Sequence, residues 1–241
     1  MLKLSVCCCT YNRPHLLGEL IESFQKQSYP KSHCELVVLD DAGQYGDLRG
    51  ENWQVVSFPR RFASLGEKRN ACVSLTSPDS EYVVMTDDDD IYLPWWLESH
   101  VKKFERGSKW NCEQWCYLSK ENEIVSKMVY PAHPSHAYDR DMFVDAGGYP
   151  PISGWEDRDF HAKLRENRVP CDDSCGERSS LIYRRFSSEK HLTGVPVEAY
   201  RDSTKFAPIL PRAELEIGWR RDYLGDVEHF ETRSSNKEKK S

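Results

Sequence analysis

The sequence predicts an α/β protein with a mostly parallel central sheet flanked by helices, and a smaller C-terminal subregion. Three observations lead to this prediction. The first hundred residues alternate short apolar runs with helical patterns, polar side chains follow these runs, and the second half of the chain loses the alternation. With 39% hydrophobic and 30% charged residues, the 241-residue chain has the composition of a globular protein.

Strand-like and helix-like segments follow each other through the first half of the chain. Short apolar runs predict four strands, at residues 2–9, 36–39, 55–58 and 82–86. Helices are predicted to begin at Pro14, at Leu65 and at Pro94, and proline suits the first helical turn. Because a β-α-β order places its strands in parallel, we expect one sheet with helices on both faces.

The second half of the chain has a different pattern. Apolar residues 115–118 and 124–130 flank a polar stretch, which predicts a β-hairpin. Short helices are predicted at 141–146 and after Trp155, and a late strand at 181–186. We therefore predict that residues 1–105 and 106–230 are two halves of one domain, and that residues 231–241 are a disordered tail.

Charge and composition exclude some classes of function. Lys plus Arg number 33 and Asp plus Glu number 39, and the resulting charge of −6 argues against binding to duplex nucleic acid. No apolar run approaches the ~18 residues of a transmembrane helix. Because the chain shows no export signal and has nine cysteines, an odd number, we expect reduced thiols and a cytoplasmic location.

Four adjacent carboxylates, Asp87 to Asp90, follow the strand predicted at residues 82–86. Ligands of an open parallel sheet bind outside the carboxyl ends of its strands, and the loops starting at Thr10 and at Asp40 follow two other strands. A divalent cation with a preference for oxygen ligands would relieve the repulsion among the carboxylates. The sequence therefore predicts a Mg²⁺ or Mn²⁺ site, with a solvated acidic turn as the alternative.

Six segments in this order resemble family 2 glycosyltransferases, which have the GT-A fold. They are CTYNRP at residues 9–14, LDDA at 39–42, GEKRNA at 66–71, DDDDIYLP at 87–94, GGY at 147–149 and GWED at 154–157. The resemblance covers about residues 3 to 190. It implies that residues 1–105 bind a nucleotide-sugar donor, with UDP as the expected nucleotide, and that residues 106–230 bind the acceptor.

The donor needs stacking for its base, acceptors for its ribose hydroxyls and positive charge for its phosphates. Tyr11 is predicted to stack on the base, and Thr10 and Arg13 to contact the base or the phosphates. The resemblance implies donor contacts from Asp40, Arg69, Asp87 and Asp88. It also implies that Asp89 is a metal ligand, whereas Asp90 is a ligand or the N-cap of the next helix. Helix capping remains the alternative for Thr10 and Tyr11, and a surface ion pair for Arg69.

The acceptor hydroxyl must lose a proton, and a carboxylate is a suitable general base. The resemblance points to Asp157, with Glu156 as the second candidate; helix capping is the alternative for both. Trp155 offers a flat face for a sugar ring unless it is a core residue. His191 is predicted as a metal ligand, or else as a surface histidine. One base without a nucleophile implies direct displacement and inversion at the anomeric carbon.

Other functions remain open at this point. A nucleotidyltransferase would usually carry a glycine-rich loop with a lysine near the first strand, which this chain lacks, and a sugar-binding module would need no base. Two CxxxC pairs, Cys112 with Cys116 and Cys171 with Cys175, leave a structural zinc site open. The acceptor is not specified: a glycan, a lipid-linked sugar, a protein and a modified nucleic-acid base all fit.

Overall fold

The protein is built around two β-sheets in the computed structural model, which describes residues 1–120, 123–129, 135–176, 178–185 and 210–238. The strands are β1 (Leu4–Thr10), β2 (Cys34–Asp40), β3 (Leu48–Gly50), β4 (Trp53–Ser57), β5 (Tyr82–Asp87), β6 (Ile91–Tyr92), β7 (Trp110–Cys112), β8 (Trp115–Lys120), β9 (Glu123–Val129), β10 (His136–Asp139), β11 (Cys171–Asp172) and β12 (Leu181–Arg185). The helices are α1 (Pro14–Gln25), α2 (Leu65–Ser74), α3 (Trp96–Glu105), α4 (Arg140–Asp145), α5 (Glu156–Glu166) and α6 (Tyr223–Glu238), with a 3-10 turn at Lys31–His33.

The large sheet has eight strands in the order β11-β7-β10-β5-β1-β2-β4-β3. Strand β1 is parallel to both β2 and β5, and β2 is parallel to β4. Only β3 and β10 run antiparallel to their neighbours in the described part of this sheet. The predicted α/β fold with a mostly parallel sheet is therefore confirmed.

Helices cover both faces of this sheet, as predicted. Leu4, Val6 and Cys8 of β1 pack with α1 and α3 on one face, whereas Cys7 packs with α2, α4 and α5 on the other. This alternation follows from the two-residue period of a strand. Cys7 and Cys8 of β1 are therefore part of the core.

A smaller sheet, in the order β6-β12-β8-β9, joins the large one through the acidic loop after β5. It contains the predicted hairpin, β8 and β9, which pair antiparallel. Helix α6 packs on it through Tyr223 and Val227, which are buried with Ile91 and Ile182. Residues 231–238, for which the sequence predicts a disordered tail, lie in α6, and Arg233 contacts Glu123 at 3.1 Å.

The predicted strands of the first half begin and end within about two residues of the observed ones, and the predicted helices begin within two residues. Helix α1 ends at Gln25, about four residues before its predicted end near Tyr29. The strands that sequence patterns did not predict are β3, β6, β7, β10 and β11, of two to four residues each. Strands this short contain too few residues for a hydrophobic period. Among the described residues, no helix is long and apolar enough to cross a membrane.

Candidate active site

The site lies where β1 and β5 end side by side. The chain moves from β1 to β2 on one side of the sheet and returns to β5 on the other, so a crevice opens between their carboxyl ends. The loop after β1 begins at Thr10, the acidic loop begins at Asp87, and the loop after β2 begins at Asp40. The three strand ends that the sequence singles out therefore meet at one edge.

Direct hydrogen bonds join the first two of these loops. Thr10 Oγ1 donates to Asp88 Oδ2 at 2.6 Å, and Arg13 Nη1 lies 2.8 Å from Asp88 Oδ1. The same Arg13 nitrogen lies 3.2 Å from Asp89 Oδ2. Asp88 is 2% exposed, so its carboxylate is held by β1-side groups rather than by water. Thr10, Arg13, Asp88 and Asp89 thus form one charged cluster.

The carboxylates of the acidic loop repel each other in a site with little water. Burial, and then the charges of Asp88 and Asp87, raise the pKa of Asp89 to about 7. Burial and Asp89 also raise the pKa of Asp90 well above its ordinary value. A bound cation would favour the charged form of Asp89, which is the chemical requirement for a metal site.

Asp90 connects the two sheets. Its Oδ1 accepts a hydrogen bond of 2.9 Å from the backbone nitrogen of Arg184, and the Arg184 Nε donates to the Asp89 carbonyl at 2.5 Å. Arg184 also contacts Glu19 at 2.5 Å, so the acidic loop is tied to α1. Asp90 is not the N-cap of the next helix, as one prediction had it, because α3 begins at Trp96 with Trp95 as its cap.

Asp40 shapes the loop after β2. Its Oδ1 accepts from Ala42 N at 2.8 Å, and its Oδ2 accepts from Gln44 N at 2.9 Å and Ser57 Oγ at 2.6 Å. The residue is fully buried. The contact of Asp40 with the donor stays a prediction.

Arg69 joins the donor side to the acceptor side. Its Nη1 donates to Glu156 Oε1, and its Nη2 lies 3.4 Å from Asp87 Oδ1. Arg69 is 7% exposed and Glu156 3%, so this is a buried network and not a surface ion pair. Glu156, the second candidate for the base, is engaged by Arg69. The start of α5 is thereby placed beside the acidic loop.

The GGY and GEKRNA segments also meet. The Asn70 side chain accepts from Tyr149 N and donates to Tyr149 O, both at 2.9 Å. Gly148 has φ +63°, and a Cβ there would lie 2.6 Å from Asn70 Oδ1, which explains the glycine. This contact fixes the loop that leads to α5.

Asp157 and Trp155 lie at the open side of the crevice. Trp155 is 61% exposed and adopts a left-handed conformation with φ 71°, so it is not a core residue. The Arg158 guanidinium lies 4.4 Å from its ring centroid. Asp157 is half-buried and accepts a 2.8 Å hydrogen bond from Arg158 N. It lies in the first turn of α5, at the positive end of the helix dipole.

Of the predicted metal ligands, His191 lies outside the described residues. Within the described ranges no group of three or more His, Cys, Asp or Glu side chains could hold an ion, and this includes the CxxxC pairs. Cys112 and Cys116 are buried whereas Cys171 and Cys175 are exposed, so no zinc site forms. Mg²⁺ and Mn²⁺ need less from the protein, because one or two carboxylates with substrate phosphates suffice.

Three charged residues around the site had no predicted role. Lys68 donates to Thr10 O at 2.6 Å and to Asp41 Oδ1 at 2.5 Å, and Arg61 lies 3.1 Å from Asp41 Oδ2. Lys68 and Asp41 lie inside segments that carry the family resemblance, which is a signal that could have found them. Arg61 lies in a loop without any such pattern.

An open, mostly parallel sheet with this charged crevice defines a GT-A-type α/β domain. Residues 5–124 match the family profile described as Glycosyl transferase family 2. The chain belongs to glycosyltransferase family 2.

Curated relatives agree with this assignment. The chain is 33% identical over 97 residues to the poly(ribitol-phosphate) beta-N-acetylglucosaminyltransferase TarS of Staphylococcus aureus, a match covering 37% of this chain and 17% of TarS. It is 31% identical over 110 residues to the putative glycosyltransferase EpsE of Bacillus subtilis, covering 43% of this chain and 39% of EpsE. The matches thus span less than half of each relative.

Solved structures share the fold. The S. aureus TarS 1–349 complex with UDP-GlcNAc has a TM-score of 0.58 at 19% identity, covering 76% of this chain and 59% of that one. The Pyrobaculum calidifontis mannosyltransferase PcManGT, in complex with GDP-Man and Mn²⁺, has a TM-score of 0.58 at 16% identity, covering 76% and 56%. The predicted GT-A fold is confirmed by these similarities.

Proposed function

We propose that this chain transfers a sugar from a nucleotide-sugar, with a UDP-sugar as the first choice, to an acceptor hydroxyl, with inversion and with the help of Mn²⁺ or Mg²⁺. The observation that carries the proposal is the contact of Thr10 and Arg13 with Asp88 and Asp89 at the β1–β5 crevice. It supplies hydroxyl, positive and carboxylate groups where a parallel sheet binds nucleotides. One of the similar structures is a complex with UDP-GlcNAc and another a complex with GDP-Man and Mn²⁺.

The chain's own residues have these proposed tasks. Asp89 would hold the cation, and Asp87 and Asp88 would contact the donor; a cation bound there would supply positive charge for the leaving diphosphate. Tyr11 stacks on the base, and Arg13 and Arg69 place positive charge beside the phosphates. Asp88, Asp89 and Arg69 are buried, and charges interact more strongly in such a setting than at a surface.

Asp157 is the proposed base. It takes the proton from the acceptor hydroxyl, whose oxygen forms a bond to the anomeric carbon while the bond to the diphosphate oxygen breaks and the diphosphate leaves with the electron pair. A single displacement inverts the anomeric configuration. Asp157 follows Glu156, which shares the Arg69 guanidinium with Asp87, and this closeness of the start of α5 to the acidic loop supports the assignment. Trp155 receives an acceptor sugar on its exposed face.

The acceptor and the cellular location of the protein are proposed separately from the reaction. A glycan, a lipid-linked sugar, a protein and a modified base all remain candidates for the acceptor. All nine cysteines are free thiols, which supports the proposed cytoplasmic location.

Thermal unfolding tests this function. We expect UDP and Mn²⁺ together to stabilise the protein more than either alone, by about 2.7 kcal/mol at a hundredfold excess over Kd. A screen of nucleotide sugars with Mn²⁺, read as nucleoside diphosphate release, then identifies the donor. Stabilisation by nucleoside triphosphates with release of pyrophosphate would favour a nucleotidyltransferase. Stabilisation by free sugar and metal alone would favour a binding module.

A further inference from the structure

The guanidinium group of Arg61 covers the ring of Tyr11. Arg61 lies in the loop between β4 and α2, and its guanidinium carbon is 3.7 Å from the ring centroid. Tyr11 is the residue proposed to stack on the donor's base. A planar guanidinium at this distance makes a stacked cation–π pair, which a lysine ammonium would not reproduce in shape.

A buried carboxylate anchors Arg61 in this position. The Arg61 Nε lies 3.1 Å from Asp41 Oδ2, and the Asp41 side chain is 1% exposed. The other Asp41 oxygen accepts from Lys68, which also donates to the Thr10 carbonyl at the start of the Tyr11 loop. Arg61 is thus held by Asp41, the residue after β2, which Lys68 of α2 fixes in turn, while the Arg61 side chain stays 20% exposed.

We propose that Arg61 and Tyr11 form a two-layer platform, in which Arg61 backs one face of the Tyr11 ring and the nucleobase of the donor stacks on the other, so that Arg61 is a positioning residue for the base. This inference rests on the proposed function. Arginine planes and aromatic rings stack on bases in the same way, and each such layer contributes measurably to nucleotide affinity. The Asp41 carboxylate pairs with both Arg61 and Lys68, so it orients the guanidinium without cancelling its charge, and the stacking role assigned to Arg61 depends on its flat face.

Binding of uridine and of UDP separates a base contact from a phosphate contact. We expect R61A and R61K each to weaken uridine and UDP by the same factor, about tenfold, because both substitutions remove the planar group. Isothermal titration for UDP and a ligand-observed NMR titration for uridine give the two Kd values. The matched control is R60A, since Arg60 is exposed in the same loop. Circular dichroism and Tm check that each variant folds.

The outcomes are distinguishable. A loss for UDP but not uridine, restored in R61K, would make Arg61 a phosphate contact and overturn the inference. Unchanged binding of both ligands in folded R61A would also overturn it, while leaving the proposed function intact. Failure of the wild-type protein to bind any nucleoside diphosphate would overturn the proposed function and the inference together.

Discussion

The side of the crevice proposed to bind the donor and the side proposed to bind the acceptor differ in the burial and the contacts of their side chains. On the donor side, Asp88 and Lys68 are at most 5% exposed and each contacts groups on a different strand or loop. On the acceptor side, Trp155 is 61% exposed and Asp157 has a hydrogen bond to its neighbour, Arg158. Arg69 is the connection between them.

The difference indicates what each side is built to do. A charged group that is held by buried partners is already oriented, so binding a fixed ligand such as a diphosphate requires little rearrangement. Exposed side chains on the first turn of a helix can contact different ligands when the loops beside them vary in sequence. The groups proposed to bind the donor are therefore supported by the sheet, whereas those proposed to bind the acceptor lie at the surface.

Removing Asp89 should have the largest effect if the donor side is preorganised. We expect D89N to lower turnover by about 10³-fold, because metal-based stabilisation of the leaving group supplies several kcal/mol. Nucleoside diphosphate release with Mn²⁺ measures turnover, and electron paramagnetic resonance of Mn²⁺ measures metal binding independently. Asp173 is exposed, and D173N serves as the control. Normal turnover in D89N would remove Asp89 from the mechanism.

Asp157 tests whether the acceptor side holds the base. We expect D157N to bind donor and Mn²⁺ normally but to transfer sugar about 10²-fold more slowly, since general base catalysis is worth at least that much. Donor Kd and the transfer rate measure the two properties. Asp159 shares the first turn of α5 and is exposed, so D159N is a matched control. Retained transfer in D157N would assign the base role to another group.

Sequence reasoning succeeded where chemistry follows directly from a strand. The apolar run of β5 ends in carboxylates, and the position of such a group in a parallel sheet can be predicted from local pattern alone. The start of α5 was predicted from GWED, and the exposure of Trp155 decides between the two readings of that tryptophan.

Contacts between residues far apart in the chain could not be predicted from local sequence patterns. Asp40 turns into its own loop because Ser57 lies opposite it in the parallel pair β2–β4, a register that no local pattern contains. Arg69 and Glu156 are 87 residues apart, so their buried contact required the fold. Helix α6 packs on the smaller sheet through Tyr223 and Val227. Its residues from 231 on are polar and contain no hydrophobic period, so the sequence predicted a tail there.

Helix α3 contains a buried histidine, His100, that should lower the free energy of unfolding at acid pH. His100 on α3 shares a 2.6 Å hydrogen bond between its Nδ1 and Asn111 Oδ1, and its Nε2 has no hydrogen-bond partner in the described ranges. Burial, and then the charge of Lys103, lower the pKa of His100 to about 3. The unfolded histidine has a pKa of about 6.5. Below pH 6.5 the histidine therefore binds a proton in the unfolded state but not in the folded state.

The stability contributed by His100 is complete above pH 6.5 and decreases as the pH falls toward 3, by about 1.4 kcal/mol per pH unit. Between pH 7 and pH 5 we expect the wild type to lose about 2 kcal/mol more unfolding free energy than H100Q. Urea unfolding at both pH values measures this. The carboxylates with raised pKa, Asp89 and Asp90, act in the opposite direction but are common to both proteins. H229Q, at an exposed histidine, is the control, and equal losses in wild type and H100Q would contradict the assignment.

Trp155 gives the smallest effect and the sharpest test of an open acceptor side. Because the ring is exposed, W155A should leave the unfolding free energy within about 0.5 kcal/mol of wild type. Loss of a flat face for the acceptor sugar should raise the acceptor KM about tenfold, while donor hydrolysis by water and donor Kd stay unchanged. W155F keeps an aromatic face and should restore most of the affinity, whereas V144A, at another exposed apolar residue, should change nothing. If W155A instead weakened donor binding, the two sides of the crevice would be one site, and the division between a closed donor side and an open acceptor side would not hold.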